Sequence, residues 1–214
     1  MQIAEIICPY SCISCAKVGG ILCERCKKYI ISQHKDVCLA CGGVLVDNRC
    51  TKCNLPFLKQ FYVGDREDAL KKLINVYKYN SVRACSWILA DLLNRVGQYD
   101  NMLVVPLPTI ERHIRERGFD HIDLLVKKFV RLNACRRSRA LIRGNNAVQV
   151  GASEEKRIEQ AKTAYIPKND IDRDANYLLV DDVWTTGSSM LAACSALQKA
   201  GCKNLNVAVI ARSG

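Results

Sequence analysis

The sequence predicts an α/β fold, a mostly parallel β-sheet flanked by helices, preceded by a small cysteine-rich ribbon. Three observations carry this expectation. Eight cysteines near the start fall into four CxxC pairs, Cys12/Cys15, Cys23/Cys26, Cys38/Cys41 and Cys50/Cys53. Beyond them, short and nearly continuous apolar runs alternate with segments of helical periodicity, the pattern of strands covered on both faces. Finally, one apolar run, Tyr177-Leu178-Leu179-Val180, ends in Asp181-Asp182 and a turn rich in Thr, Gly and Ser.

The ribbon comes first. Nine of the 13 cysteines lie within the first 53 residues. Zinc takes four thiolates in a tetrahedron, and a CxxC turn brings two of them to one face of a tight knuckle, so eight ligands predict two zinc ions. Seven residues separate the first two pairs and eight the last two. Pairing neighbours closes shorter loops than an interleaved arrangement and is the expected one. Fewer than about 60 residues with few large apolar side chains cannot bury a sufficient core, so each metal would supply folding free energy of order 10 kcal/mol. A structural staple is the plain reading. A ribbon that docks protein or nucleic acid and a redox-active CxxC are its rivals, and four pairs are too many for a thioredoxin-like site. Cys8 is a bystander or a substitute ligand.

A boundary near residue 58 divides a double ribbon, 1–58, from a larger domain, 59–214. In the latter the patterns predict a strand at 59–63, helices over 65–79 and 81–96, a strand at 102–105 and a helix from about 121 to 132. They continue with a strand at 140–143, a helix near 153–162, a strand at 177–180, a helix over 185–200 capped by Gly201, and a strand at 206–210.

Composition narrows the function. The chain has 214 residues, 49% of them hydrophobic, which suits an ordinary globular protein. No apolar run reaches the ~18 residues that span a bilayer. The first residues lack the basic start of a signal peptide. Membrane insertion is therefore not expected, and a cytoplasmic location is, in which the cysteines stay reduced. The formal net charge is +11. Eight thiolates and two Zn²⁺ contribute −4 and leave about +7. Much of the excess sits in 112–143, with Arg112, Arg115, Arg117, Lys127, Lys128, Arg131, Arg136, Arg137, Arg139 and Arg143 against Glu116, Asp120 and Asp123. Such a stretch funnels a polyphosphate, touches a nucleic-acid backbone, or is a solvated helix face.

The chemistry concentrates where the strand at 177–180 ends. In a parallel sheet ligands collect at the carboxyl ends of strands. The backbone of Val183 and the N–H groups and hydroxyls of Thr185, Thr186, Gly187, Ser188 and Ser189, at the positive end of a helix, suit a phosphate monoester. Asp181 and Asp182 do not suit a phosphate. They make sense as acceptors of hydrogen bonds from sugar hydroxyls or as help in holding Mg²⁺. The alternative, an acidic helix cap, is weakened because hydroxyls already occupy the capping positions. Phosphoribosyl pyrophosphate meets all three demands. Neither GxxxxGK[ST] nor GxGxxG occurs in the chain, which disfavours P-loop ATPases and dinucleotide-binding folds.

Taken together, these blocks resemble the ComF family, a cysteine ribbon followed by a type I phosphoribosyltransferase domain. The family's DDxxTTG loop is matched by Asp181, Asp182, Thr185, Thr186 and Gly187. Val105-Pro106-Leu107-Pro108, Arg112 and Arg115-Glu116-Arg117-Gly118-Phe119 resemble its PVP and RERGFN blocks. The resemblance implies ribose contacts for Asp181 and Asp182, 5'-phosphate contacts for the turn, and diphosphate contacts for Arg112, Arg115 and Arg117, with Asp181, Asp182 and Arg112 as the catalytic set. A third block, 143–160, is similar to a segment expected to form a flap; Asn146 and Gln160 depart from its pattern. Asp120 and His121 stand where the family commonly has Asn and Gln, and His121 and His113 are expected to be surface residues rather than acid–base groups. The resemblance further implies Mg²⁺ with phosphoribosyl pyrophosphate, and a role in natural transformation. Two functions follow from it: a phosphoribosyltransferase, or a non-catalytic competence factor contacting single-stranded DNA or a helicase partner through the ribbon or basic surface.

Overall fold

A computed structural model describes residues 10–144 and 164–213. The flap block from Asn146 to Gln160, the helix expected near 153–162 and Cys8 lie outside the described residues.

The ribbon consists of two cysteine knuckle pairs. In the first, Cys12 N–H donates to the Lys17 carbonyl at 2.8 Å, and Cys23 and Cys26 flank the start of helix α1 (Glu24–Ser32). In the second, Cys38 N–H donates to the Gly43 carbonyl at 2.7 Å. A hairpin of β1 (Leu45–Val46) and β2 (Arg49–Cys50) follows, its turn residues Asp47 and Asn48 at φ 49° and 60°. Both turn residues in the left-handed region make a type I′ turn, whose twist matches the strands it joins.

The chain continues with β3 (Lys59–Asp65), α2 (Asp68–Tyr79), α3 (Cys85–Asn94) and β4 (Leu103–Pro106). A short α4 (Glu111–Arg117), α5 (His121–Leu132) and β5 (Arg136–Arg137) follow. The chain then forms an antiparallel pair, β6 (Leu141–Arg143) and β7 (Tyr165–Pro167), and closes with β8 (Asn176–Trp184), α6 (Ser188–Lys199) and β9 (Asn204–Arg212).

Five strands form one parallel sheet in the order β3-β9-β8-β4-β5. Period-two alternation builds a core on each face. Phe61, Val63, Val104, Leu178, Val180, Ala208 and Ile210 pack with α2, α3 and α5, while Tyr62, Val105, Leu179, Val207 and Val209 pack with α6. The ribbon is shared between these layers. Cys12, Ile21, Leu22, Cys26 and Ile30 join the first, and Leu39 and Phe57 join the second. Ion pairs from Lys27 to Asp91 at 3.0 Å and from Arg95 to Glu24 at 3.1 Å tie α1 to α3.

After β4 the chain moves outward to β5, whereas after β8 it moves the other way to β9. The crevice at the carboxyl ends of β4 and β8 is therefore the topological switch point where an open sheet receives a ligand.

Candidate functional site

Each group of four cysteines converges as expected from sequential pairing. The ligand atoms of Cys12, Cys15, Cys23 and Cys26 lie within 4.8 Å of one another, as do those of Cys38, Cys41, Cys50 and Cys53. The Sγ atoms of Cys15 and Cys23 are 3.7 Å apart, and those of Cys41 and Cys50 3.8 Å. A zinc tetrahedron with bonds of about 2.3 Å has edges of about 3.8 Å, so both donor sets fit zinc. Against the cost of burial, backbone N–H groups of Cys23, Cys15 and Ser14 converge on Cys12 and lower its thiol to about 6, favouring the thiolate that a metal requires.

The second group is built into the sheet edge. Gln60, on β3, accepts from Leu39 N–H at 2.8 Å and donates to Cys38 Sγ at 3.7 Å. Tyr62 donates its hydroxyl hydrogen to the Lys35 carbonyl at 2.7 Å, and Arg212, near the end of β9, reaches the Cys38 carbonyl at 3.4 Å.

At the carboxyl end of β8 a hollow is lined by Asp181, Val183, Trp184, Thr185, Gly187, Ser188, Ser189, Met190 and, from β9, Val209. Its floor is β8, which runs past the acidic pair to Trp184 because β9 continues to supply ladder partners, Asp181 to Val209 and Trp184 to Arg212. Gly187 takes φ +75° as the N-cap of α6, and a Cβ there would lie 2.1 Å from Cζ2 of Trp184. Only glycine satisfies both the conformation and the space. Thr185, Thr186, Ser188 and Ser189 are exposed around it. The first helical bond of α6 runs from Leu191 N–H to the Gly187 carbonyl, so the N–H groups at its first turn face the opening. Trp184 itself is buried, with the ribbon's Phe57 edge-on to it at 6.2 Å.

Successive strand residues point to opposite faces, and the two aspartates divide accordingly. Asp181 lines the hollow and accepts from Asp182 N–H at 2.9 Å. Asp182 is buried and turned toward the helices, where its Oδ2 meets Lys78 Nζ at 2.6 Å and His121 Nε2 at 2.8 Å. Burial and the neighbouring Asp182 carboxylate raise the Asp181 carboxyl well above the ordinary range. Burial acts on Asp182 too, but the hydrogen bond from His121 and the Lys78 charge outweigh it and hold that carboxyl far below the range.

The arginines of α4 separate likewise. Arg112 is largely exposed, 3.4 Å from Glu116, and Arg115 is exposed; Arg117 instead turns inward to His121 Nδ1 at 3.0 Å. Gly118, at φ +74°, ends α4 and its carbonyl accepts from Arg83 at 2.9 Å. Other members of the basic stretch are engaged within the fold. Lys127 and Arg137 pair with Asp123, Lys128 lies over Trp87, and Arg143 lies over Tyr165. Asp120 caps α5, accepting from Asp123 N–H at 3.1 Å. His121, expected at the surface, is only 5% exposed. Lys78 carries no motif and was not predicted; its position in the last turn of α2 gives no signal until the helix is placed against β8.

A family described as "Phosphoribosyl transferase domain" matches residues 123–214. The chain is 25% identical over 204 residues to "Competence protein ComFC" of Bacillus subtilis (strain 168), covering 92% of this chain and 80% of that protein. It is 28% identical to "Competence protein F" of Haemophilus influenzae, covering 95% and 97% of the two chains. It is also 26% identical to "DNA utilization protein YhgH" of Escherichia coli O6:H1, covering 94% and 88%. The likeness runs through ribbon and sheet together: over nearly its whole length the chain is similar to competence and DNA-utilization proteins, and its second half to a phosphoribosyl transferase domain.

Proposed function

We propose that the domain over 59–214 binds phosphoribosyl pyrophosphate with Mg²⁺ at the carboxyl ends of β4 and β8, and that the ribbon over 1–58 is its zinc-stapled support. One observation carries the reading: the carboxyl group of Asp181 lines the same hollow as the start of a glycine-initiated helix, around which Thr185, Thr186, Ser188 and Ser189 are exposed. Hydroxyl-rich N–H donors suit the 5'-phosphate, and a carboxylate suits a vicinal diol. On α4, the exposed Arg112 and Arg115 are cations available to meet the diphosphate, Arg112 beside Glu116. The competence names of the relatives support a role in DNA uptake for this chain as well.

The reaction that such a site serves is displacement at C1 of the ribose. The bond from C1 to the diphosphate oxygen breaks, a bond from an acceptor nitrogen forms, pyrophosphate departs, and the acceptor's proton passes to solvent. Bound Mg²⁺ would neutralise the departing diphosphate, with Asp181 the carboxylate oxygen donor facing the hollow. The chain's own residues hold the ribose, grip the phosphate through the α6 N–H groups, and place arginine charge beside the leaving group, which is positioning and electrostatic stabilisation rather than covalent chemistry.

Calorimetric titration of zinc-loaded protein with phosphoribosyl pyrophosphate and Mg²⁺ tests the reading. Saturable binding that is lost in the Asp181→Asn/Asp182→Asn variant is expected. Absence of binding to the wild type would overturn it. Pyrophosphate release in the presence of nitrogenous bases then separates an enzyme, which turns over, from a binding protein, which does not.

A further inference from the structure

Four elements meet at one carboxylate that does not line the hollow. Lys78 from α2 and His121 from α5 both contact Asp182 Oδ2 on β8, and Arg117 from α4 reaches the other nitrogen of His121. A guanidinium only donates, so His121 Nδ1 accepts and the ring carries its hydrogen on Nε2, directed at Asp182. The Tyr77 hydroxyl donates to the His121 carbonyl at 2.5 Å and fixes the start of α5. Stability alone does not call for this arrangement. A buried ion pair contributes no more than well-packed apolar side chains of the same volume, and both desolvated partners carry a cost. What the network does supply is geometry. It ties α4, with the exposed Arg112 and Arg115, to the strand whose next residue inward is the ligand-facing Asp181.

We propose that Lys78 and His121, with Arg117 behind the histidine, are positioning residues. They hold Asp182 turned inward, so that Asp181 alone faces the ligand, and they set the spacing between the α4 arginines and the turn at Gly187. The inference rests on the reading above that this hollow takes phosphoribosyl pyrophosphate.

The test is a cycle of ligand affinities on the full zinc-loaded chain, with phosphoribosyl pyrophosphate and Mg²⁺ as the probe and melting temperature recorded in parallel. Loss of one charge-assisted contact predicts about tenfold weaker binding for Lys78→Met and for Asp182→Asn. Because lysine acts through the aspartate, the double variant should be no weaker than either single one. His121→Leu should lose about tenfold, while His121→Gln, whose amide can donate to Asp182 and accept from Arg117, should return to within about threefold of the wild type. A merely structural role lowers the melting temperature and leaves the affinity of the folded variants unchanged, and that outcome overturns the inference. Additive losses in the double variant overturn it as well. If Lys78→Met does not fold, the His121 pair and Asp182→Asn decide the matter alone. No binding to the wild type refutes the ligand reading instead, which keeps the two failures apart.

Discussion

Replacing Gly187 with alanine probes the turn on which the site depends. At φ +75° a residue with a Cβ is in the left-handed region, at a cost of about 1–2 kcal/mol. The added methyl would also sit 2.1 Å from Cζ2 and 2.6 Å from Cε2 and Cη2 of Trp184. The indole cannot withdraw, because it is 3% exposed and is packed against Phe57. Overpacking of this kind costs about 1–3 kcal/mol, so the substitution should destabilise the domain by about 2–5 kcal/mol in all. Urea denaturation of the zinc-loaded protein, compared at unchanged slope, measures it. In a Trp184→Phe background the steric part should fall away, leaving about 1–2 kcal/mol for the backbone. A loss below about 0.5 kcal/mol, or the same loss in both backgrounds, would refute the account of the turn.

Further outcomes follow from the same geometry. Cys23→Ser should release one zinc ion and Cys50→Ser the other, each leaving its neighbour bound, as read by metal analysis of purified protein; simultaneous loss of both would show the sites to be interdependent. Gln60→Leu leaves Leu39 N–H buried without an acceptor and should cost about 1–3 kcal/mol, with weaker retention of zinc by the Cys38 group only. Asp181 has a carboxyl raised by burial and by Asp182, so the native state still holds a proton above the ordinary value of 3.8, where the unfolded chain has lost its own. Stability should therefore decline as pH rises from weakly acidic toward neutral, and Asp181→Asn should flatten that slope in urea midpoints measured from about pH 5 upward. Asp182 runs the opposite way. Its lowered carboxyl contributes stability above 3.8 that is lost as pH falls further.

The legible parts of the chain were those where local pattern and tertiary packing agree. Helix α5 covers the predicted 121–132 because Ile122, Leu125, Val126 and Phe129 form a clean apolar stripe with an aspartate cap. The cysteine spacing announced both metal groups and their pairing. Strand β8 was read too short because two aspartates look like the start of a loop; hydrogen bonding from β9 carries the strand on through them. Helix α4 was missed because its seven residues bury nothing, and hence show no periodicity. Helix α1 was missed for a different reason: zinc knuckles, not an apolar stripe, set its start. That Asp181 lines the hollow was legible from the turn that follows it. The inward role of Asp182 was not, since it depends on a lysine more than a hundred positions away in the chain, and sequence spacing says nothing about which helix crosses a strand.

The Phe57–Trp184 contact alters how the chain could be dissected. Phe57 belongs to the segment before β3, and the indole it covers is the wall against which Gly187 turns. Cutting the protein at residue 58 would strip a tryptophan, a buried tyrosine at Tyr62 and the Gln60 amide of their cover in a single stroke. The turn at Gly187 would then rest on a wet, unsupported ring. An excised sheet domain is thus a poor surrogate for the whole, and a negative binding result obtained with one would say more about the missing buttress than about the ligand.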